Sequence, residues 1–471
     1  MKRISILIIY LSILLNTHAK VELPSIWGSN MVLQQQAVIT FRGKANANKK
    51  VYVQASWNEK KVYTNSDKNG NWQLTLSTPE AGGPFTLTFS DGEDLVLNNI
   101  LIGEVWFCSG QSNMEMPVKG FRGQPVYGSQ PYIVGANPKR PLRLFTVKNV
   151  WNIHPQNQGI DGSWVETTSE EVANFSATAF FFGDLLQNTL DVPVGLINCS
   201  WSASKIEAWM DKEALSCFPE VELPDTHQIE FGWPAGTPTL LWNAMVNPWK
   251  GFPIKGVIWY QGEANSPNPS LYKKLFPAMV EQWRTFFKSE ELPFYYVQIA
   301  PWQSEASEKL DWAWFRQCQL ELMSEVPYTG MVITTDAGSE KFIHPAHKIK
   351  VGQRLAYWAL AKTYGKKGFS YSGPIYKTAQ CKDRIVEITF EFGEDGLIPE
   401  NQKLRGFEMA GQDGIFMPAE AEIINGSACV KVWHPQVQHP REVRYCFRNY
   451  IEGNLFNNAE LPAAPFRVVL E

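Results

Sequence analysis

The segment Ile102-Gly-Glu-Val-Trp-Phe-Cys-Ser-Gly-Gln-Ser-Asn-Met-Glu-Met-Pro117 carries an almost continuous apolar strand into a polar turn. Similar strand-like runs recur along the chain, with helical patterns between them, and begin at Val194, Val257, Phe294 and Met331. Near-continuous apolar strands that alternate with helices indicate a parallel sheet covered on both faces. In such sheets functional side chains lie just beyond the carboxyl ends of the strands, so the turn at Gly110 is the first candidate for chemistry.

The sequence on either side of this region follows a different pattern. From residue 20 to residue 99, short alternating runs such as Trp72-Gln-Leu-Thr-Leu76 lie between turn residues, which is typical of a small β-sandwich. Alternation returns near the C-terminus, for example in Ile385-Val-Glu-Ile-Thr-Phe390. We therefore predict a β-sandwich domain over 20–99, an α/β domain over 100–366 and a second β-domain over 367–471.

Residues 1–19 are predicted to be a secretory signal peptide. Met1-Lys-Arg3 is positively charged, Ile4 to Leu15 is almost entirely apolar, and Ala19 is small. The apolar run is too short to span a bilayer with stable flanks, although an uncleaved N-terminal anchor is the alternative. We expect a secreted or periplasmic protein that has no membrane association after cleavage.

Composition narrows the classes of partner. The 471 residues include 44% hydrophobic and 19% charged residues, and the formal net charge is -4. That composition is ordinary for a globular protein, and it supplies no basic field that would attract nucleic acid or an anionic membrane. The 7 cysteines form no CxxC pair, and no His/Asp cluster has ligand spacing. We therefore expect neither a metal nor a cofactor.

Ser112 lies in the turn after the first strand of the α/β region. That position exposes a nucleophile and points its backbone N–H at the reacting centre; the alternative is a serine that caps the following helix. A nucleophilic serine needs a base. His344 follows the strand that ends near Thr335 and precedes an amphipathic helix. His347 is the rival, and we expect it at the helix start, facing solvent.

A third polar turn follows the strand in Val257-Ile-Trp-Tyr-Gln-Gly-Glu-Ala-Asn265. The side-chain amide of Asn265 is placed to donate to an oxyanion. Glu263 has two roles open to it: it orients loops or a substrate hydroxyl, or it is a buried carboxylate hydrogen-bonded to the backbone. We favour the second.

These blocks, together with Gly195-Leu-Ile-Asn-Cys-Ser-Trp201, Ile206-Glu-Ala-Trp209 and Ile343-His-Pro345, resemble the sialate O-acetylesterases, which belong to the SGNH (GDSL-like) hydrolases. The resemblance runs from about Ser25 into the C-terminal domain. It implies a flavodoxin-like three-layer α/β/α domain flanked by β-sandwich-like domains. It also implies removal of acetyl esters from sugars, with Ser112 as nucleophile, His344 as base, and Gln111, Asn113, Gln261 and Glu263 at the substrate.

The sequence departs from the family pattern at two positions. Where the family commonly has Trp-Gly-Gly, with a glycine N–H in the oxyanion hole, this chain has Trp201-Ser202-Ala203. The oxyanion donors are then expected to be Ser112, Ala203 or its neighbour Ser202, and Asn265; an alanine N–H serves if its φ need not be positive. The family often places Asp two residues before the histidine, where this chain has Phe342. Asp336 is the predicted substitute, with Glu340 or a backbone carbonyl as alternatives, and the base is expected to titrate near pKa ~6.5.

Two classes of function follow. The first is a secreted carbohydrate O-acetylesterase acting on acetylated sialic acid, or alternatively on the acetyl groups of xylan or pectin. The second is a weakly active glycan-binding relative, which the loss of the acid at Phe342 would explain. A sialate carboxylate would need a cation, for which the sequence offers four candidates: Lys119, Arg122, Lys205 and Arg316.

Overall fold

The computed structural model of the protein describes residues 21–158, 160–303, 310–424 and 426–470. The predicted signal peptide lies outside these residues. Within the part of the chain that the structure describes, no helix is both long and apolar enough to cross a membrane.

The N-terminal part is built of strands. In chain order they are β1 (Val32–Gln34), β2 (Val38–Lys44), β3 (Lys50–Ala55), β4 (Lys61–Asn65), β5 (Asn71–Ser77), β6 (Gly82–Ser90) and β7 (Asp94–Gly110). Strands β2 and β5 pair with each other and pack over β6, where Phe41 lies against Phe89 with ring centroids 5.3 Å apart. The alternating burial of β5, in which every second side chain is buried, follows the period-two pattern of its sequence.

The central part alternates strands and helices. Its strands are β8 (Leu142–Thr146), β9 (Trp164–Glu166), β10 (Val194–Ser200), β11 (Gly256–Tyr260), β12 (Phe294–Val297) and β13 (Thr329–Val332). Its helices are α1 (Ser112–Glu115), α2 (Gln130–Val134), α3 (Ser169–Asn174), α4 (Ala177–Leu190), α5 (Lys212–Leu215), α6 (Pro269–Phe287), α7 (Asp311–Glu325) and α8 (Lys348–Trp358). Short 3₁₀ and π turns complete it over Ile206–Trp209, Pro234–Gly236, Trp242–Val246, Asn247–Trp249, Glu263–Asn265 and Ala359–Thr363.

The central sheet has the strand order β13-β12-β11-β7-β10-β8-β9. All neighbours pair in parallel except β8 and β9, which are antiparallel. Helices α4 and α8 bury their apolar faces in the core on one side of this sheet, and α6 and α7 do so on the other. The predicted α/β class is confirmed, and the carboxyl ends of β7, β11 and β13 lie at one edge, as a parallel sheet requires.

Strand β7 joins the N-terminal and central parts. Its first half pairs with β6 and β1, and its second half with β10 and β11. The predicted boundary between residues 99 and 100 therefore falls inside one continuous strand. Because one apolar core runs from the N-terminal strands to the α6–α7 face of the sheet, the two parts share their interior.

The C-terminal part has a core of its own. Its strands are β14 (Ile375–Lys382), β15 (Ile385–Glu391), β16 (Leu397–Ile398), β17 (Phe407–Ala410), β18 (Met417–Pro418), β19 (Glu420–Ile423), β20 (Cys429–Trp433), β21 (Glu442–Tyr445), β22 (Phe456–Asn457) and β23 (Phe466–Val469). They form antiparallel sheets of order β14-β15-β20-β19 and β18-β17-β21-β23, together with the pair β16-β22. Buried Arg316 of α7 donates to the carbonyl oxygens of Cys446 and Arg448, which fixes this part to the central one.

Candidate active site

Ser112 is the first residue of α1, directly after the end of β7. The turn depends on Gly110, which has a φ of +142°. A Cβ at this position would lie 2.1 Å from the Tyr260 carbonyl oxygen, so no other residue fits. Gln111 occupies the cap position of α1, so Ser112 does not cap the helix. Among the described residues, Ser112 Oγ and the Ser112 N–H form no hydrogen bond. With 6% of its surface exposed, Ser112 is held at the floor of a site with both groups free.

His344 lies on the loop before α8, as predicted. Its Nδ1 is 2.9 Å from Oε1 of Gln124, and its ring packs edge-on against Phe121 with centroids 5.3 Å apart. Burial, reinforced by the positive charge of Lys348, lowers the pKa of His344 to about 4. This pKa lies below the ordinary value that was expected, because the ring is half-buried and no carboxylate of the described residues contacts it.

Asp336, the predicted partner of His344, points elsewhere. Its carboxylate forms ion pairs with Nη1 of Arg354 at 2.6 Å and Nζ of Lys350 at 2.8 Å, both on α8. Burial opposes ionisation, but hydrogen bonds from Arg354 and Lys350 outweigh it and lower the pKa of Asp336. The prediction that Asp336 orients His344 was wrong, and Gln124, which the sequence did not suggest, occupies that position.

The Asn113 side chain joins three segments beneath the site. Its Nδ2 donates to Oε1 of Glu263 at 2.6 Å and to the Ile343 carbonyl oxygen at 3.1 Å, and its Oδ1 accepts from Nζ of Lys348. Asn113 is fully buried. It therefore fixes the loop that carries His344 to the helix that carries Ser112, in a structure where those two residues are not hydrogen-bonded to each other. Catalytic hydrogen bonds are often long before substrate binds.

Most of the residues predicted to contact substrate form hydrogen bonds within the protein. Gln111 accepts from the N–H groups of Gly262 and Ala264, each at 3.3 Å. Gln261 donates to the Ser204 carbonyl oxygen and to Asn265. With Asn113, these side chains are buried and bonded to protein, and direct contact with substrate stays a prediction for all three. They hold the loops together because three strand ends converge here.

Glu263 and Lys348 are two buried ionisable side chains, one acidic and one basic. Burial raises the pKa of Glu263, and burial lowers the pKa of Lys348 to about 7, against the opposing effect of Glu263. Oε2 of Glu263 has no hydrogen-bond partner among the described residues. These contacts fit the favoured interpretation of Glu263 as a buried carboxylate that is bonded to the protein, with the Asn113 side chain donating to its Oε1.

The oxyanion side of the site is formed by the Trp201–Lys205 loop. The Ser202 N–H donates to Oε2 of Glu115 at 2.6 Å, which removes Ser202 as a donor. The Ala203 N–H forms no hydrogen bond among the described residues, and Ala203 has a φ of +56°. Position 203 therefore does have a positive φ, and the alanine adopts this left-handed conformation, which suits glycine, while its N–H stays without a partner among the described residues.

Asn265 lies beside this loop in a network of its own. Its Oδ1 accepts from the Ile206 N–H at 3.0 Å and from Gln261 at 2.7 Å. Its Nδ2 donates to Oε2 of Glu207 at 2.9 Å. An amide nitrogen carries two protons, so this network orients Asn265 and leaves one N–H for another acceptor.

The four candidate cations differ in burial and in the groups that they contact. Arg316 is buried against C-terminal carbonyl groups, and Lys119 donates to Asn174 at 2.5 Å. Arg122 is exposed, and Lys205 is half-buried with Nζ 5.3 Å from the centroid of the Trp233 ring. Neither Arg122 nor Lys205 has an acidic partner within the described ranges. Lys205 follows the Ser202–Ala203 turn, and Arg122 follows Phe121, so each lies close in sequence to one wall of the site.

His347 is at the position that precedes α8. Its ring packs against Tyr127 with centroids 5.3 Å apart. Among the described residues no group of three or more His, Cys, Asp or Glu side chains has the arrangement of a metal site.

The comparisons agree with this geometry. The family model described as "Carbohydrate esterase, sialic acid-specific acetylesterase" matches residues 102–361, which include both Ser112 and His344. A solved carbohydrate acetylesterase from Xanthomonas citri is 32% identical, covers 95% of this chain and 99% of its own, and superposes with a TM-score of 0.86.

Two mammalian sequences are similar over shorter spans. Sialate O-acetylesterase of Homo sapiens is 29% identical over 74% of this chain and 72% of its own length. Sialate O-acetylesterase of Mus musculus is 27% identical over 70% of this chain and 71% of its own length.

Proposed function

The chain belongs to the carbohydrate esterase family of sialic acid-specific acetylesterases, and we propose that it hydrolyses acetyl esters of sugars through an acetyl-enzyme on Ser112. The observation that carries the proposal is the free Ser112 hydroxyl at the strand-to-helix turn, tied through Asn113 to the loop of His344. Membership of the family makes the chain a carboxylic-ester hydrolase; the serine mechanism below is the proposal.

In the first step Ser112 Oγ attacks the acetyl carbonyl carbon. Nε2 of His344 accepts the Oγ proton as the new C–O bond forms, and the carbonyl electrons move onto oxygen. The intermediate collapses, the bond to the sugar oxygen breaks, and that oxygen takes the proton from His344. Water then attacks the acetyl group in the same way, and acetate and free Ser112 are released.

The developing oxyanion needs donors that are not already occupied. The N–H groups of Ser112 and Ala203 meet that requirement, and the second proton of the Asn265 amide is held in place by the bond to Glu207. Preorganised donors of this kind each contribute about 2.7–4 kcal/mol to transition-state stabilisation. Three such donors would account for a large part of the rate enhancement over the uncatalysed hydrolysis.

We propose acetylated sialic acid as the substrate, in preference to the acetyl groups of xylan or pectin. The family description and the mammalian relatives support this choice. So does Lys205, whose ammonium group has no acidic partner among the residues that the structure describes and lies over Trp233 beside the oxyanion loop. A carboxylate on the sugar would supply that partner, and the ring of Trp233, 45% exposed, offers a surface against which a sugar can pack.

The finer fold assignment and the cellular location are part of the same proposal. The strand order of the central sheet, with helices on both faces, supports a flavodoxin-like SGNH domain flanked by β-sandwich-like domains. The charged start at Met1-Lys-Arg3 and the apolar run that follows support export.

The direct test measures acetate release by the purified protein from O-acetylated sialic acid and from acetylated xylan, with Ser112→Ala as the blank. We expect release from the sialic acid at the higher kcat/KM, and none by the variant. Preference for xylan would replace sialate with the neutral-polysaccharide alternative. Absence of release from both substrates would contradict the proposed function.

A further inference from the structure

We propose that Gln124 is the positioning residue for His344, and that its neutral amide replaces the acidic member of the triad. The proposal rests on the proposed function, in which His344 is the base. Its first support is the 2.9 Å contact between Oε1 of Gln124 and Nδ1 of His344. None of the acidic alternatives contacts His344 among the described residues: Phe342 stands in place of the family's Asp, Asp336 is bound by Arg354 and Lys350, and Glu340 is exposed without a hydrogen bond to the ring.

The loop that carries Gln124 is attached to the His344 loop on both sides. Before it, Phe121 packs against the imidazole ring, and the Gln124 N–H donates to the Phe121 carbonyl oxygen at 2.9 Å. After it, the Tyr127 N–H donates to the Ala346 carbonyl oxygen at 3.0 Å. Gln124 is therefore held against His344 by a fixed segment of backbone.

A glycine makes this tight loop possible. Gly120 has a φ of +83°, and a Cβ there would lie 2.4 Å from the Gln124 carbonyl oxygen. A larger residue at position 120 would push the Gln124 backbone away from its present place. The loop is thus built around the close approach that puts the amide at the imidazole.

The amide performs one of the two tasks of a triad carboxylate. Its Oε1 can only accept, so Nδ1 of His344 carries the proton and Nε2 keeps the lone pair that a base needs. An amide has no net charge, however, so it does not stabilise the imidazolium ion as a carboxylate does. Gln124 therefore selects the correct tautomer without raising proton affinity.

The remaining positive charges around His344 also disfavour protonation of its ring. Lys348 at the start of α8 is the charged group that acts on the ring, and it disfavours a second positive charge. Arg122, on the Gln124 loop, is exposed and would have the same sign of effect. Glu263 faces Lys348 through Asn113. Because no carboxylate of the described residues contacts the imidazole, and because burial lowers its pKa, we expect activity to persist into acidic solution.

The test compares Gln124→Glu and Gln124→Leu with wild type, using a neutral acetyl ester and the pH dependence of kcat/KM. Gln124→Glu should move the acidic half-maximum of activity upward by roughly one pH unit or more, since a carboxylate in contact shifts a pKa by about 1–3 units. Gln124→Leu should lower kcat by about 10²-fold or more, because nothing then fixes the tautomer. Gln130→Glu, an exposed glutamine at the start of α2, is the matched control and should leave the profile unchanged.

The outcomes separate the two proposals. Wild-type kcat and an unshifted acidic limb in folded Gln124→Leu would overturn the role of Gln124 and leave the proposed function standing. If Gln124→Leu does not fold, the same decision rests on Gln124→Glu: an acidic limb that coincides with wild type overturns the inference. Wild-type turnover in His344→Ala would instead remove the proposed function itself.

Discussion

The side-chain amide of Asn113 donates to the carbonyl oxygen of Ile343 at 3.1 Å. The bond joins the residue after the nucleophile to the residue before the base. Since the structure shows no hydrogen bond between Ser112 and His344, this contact, one residue removed from each, sets their relative position.

Asn113→Ala should lower kcat by about 10²-fold with little change in KM, because a displacement of about 1 Å in a reacting group costs that much. It should also reduce stability by about 1–3 kcal/mol, since buried Glu263 and Lys348 lose a partner. The measurement is steady-state kinetics with p-nitrophenyl acetate, alongside thermal unfolding. Asn58→Ala, at an exposed position of the N-terminal part, controls for loss of an asparagine. A stable Asn113→Ala enzyme with normal kcat would show that the contact is dispensable.

Asp336→Asn distinguishes the structure from the sequence-based prediction. The carboxylate pairs with Arg354 and Lys350 and does not contact His344, so kcat and its pH profile should stay close to wild type. Stability should fall by about 1–3 kcal/mol near neutral pH, because the charged partners lose their acceptor. The folded-state pKa of Asp336 is lowered, so its stabilisation is present above its unfolded pKa and is lost as pH falls through the folded pKa. Chemical denaturation at pH 7 and kcat/KM between pH 4 and 8 check both parts, and a loss of kcat of about 10²-fold or more would restore Asp336 as the triad acid.

Lys348 gives a pH dependence of stability with a definite sign. Its folded-state pKa is lowered to about 7 by burial, so between that pH and its unfolded pKa the unfolded chain binds the extra proton. Stability contributed by this group therefore rises as pH increases through that window. Relative to Lys348→Met, the wild type should gain stability between pH 7 and pH 9.5. A difference in unfolding free energy between the two proteins that does not change with pH would contradict the buried, shifted lysine.

Substitutions of Ala203 test whether the left-handed conformation of the oxyanion loop is strained. With φ at +56°, Ala203→Gly should relieve a left-handed conformation that costs about 1–2 kcal/mol, offset in part by the greater freedom of unfolded glycine. We expect retained activity and a small rise in Tm. Ala203→Val, which keeps the N–H but is β-branched, should lower both Tm and kcat. Equal Tm and kcat in the glycine, valine and alanine forms would mean that this backbone conformation is not maintained in solution.

Lys205 tests the choice of substrate. Lys205→Gln should reduce kcat/KM for acetylated sialic acid by roughly 10- to 100-fold, the value of a charge-assisted hydrogen bond. Its activity toward p-nitrophenyl acetate, which has no carboxylate, should stay unchanged. Lys212→Gln, at an exposed position of α5, is the matched control. An equal loss on both esters, or on neither, would remove Lys205 from carboxylate recognition.

The elements that the sequence predicted well are those whose signal is local. Ser112 was placed because an apolar strand runs directly into a polar turn, and His344 because a strand and an amphipathic helix flank its loop. Gln124 was missed because it lies 220 residues from His344 in the chain, and nothing in its own segment marks it as a histidine partner. Asp336 was favoured as an acid near His344 in sequence, yet Lys350 and Arg354, one helical turn apart on α8, hold its carboxylate.

Two features of the fold depend on packing and pairing partners that a local sequence pattern does not show. Helix α6 begins at Pro269, where Asn268 caps it by accepting from the Leu271 N–H at 3.1 Å, and it continues through Pro277. Packing of the apolar face outweighs the missing hydrogen bond at the proline. The boundary at residue 99 was placed where the sequence texture changes, whereas β7 continues through it because both of its halves have strands to pair with.

The most direct test of the central claim is peptide mapping by mass spectrometry after reaction with a fluorophosphonate. The wild type should carry one phosphonyl group on Ser112, and Ser112→Ala should carry none. Ser202→Ala, which removes a hydroxyl bonded to Glu115, should still be labelled at Ser112. Labelling of Ser112→Ala to the same extent as wild type, or a label found at Ser202, would contradict Ser112 as the nucleophile.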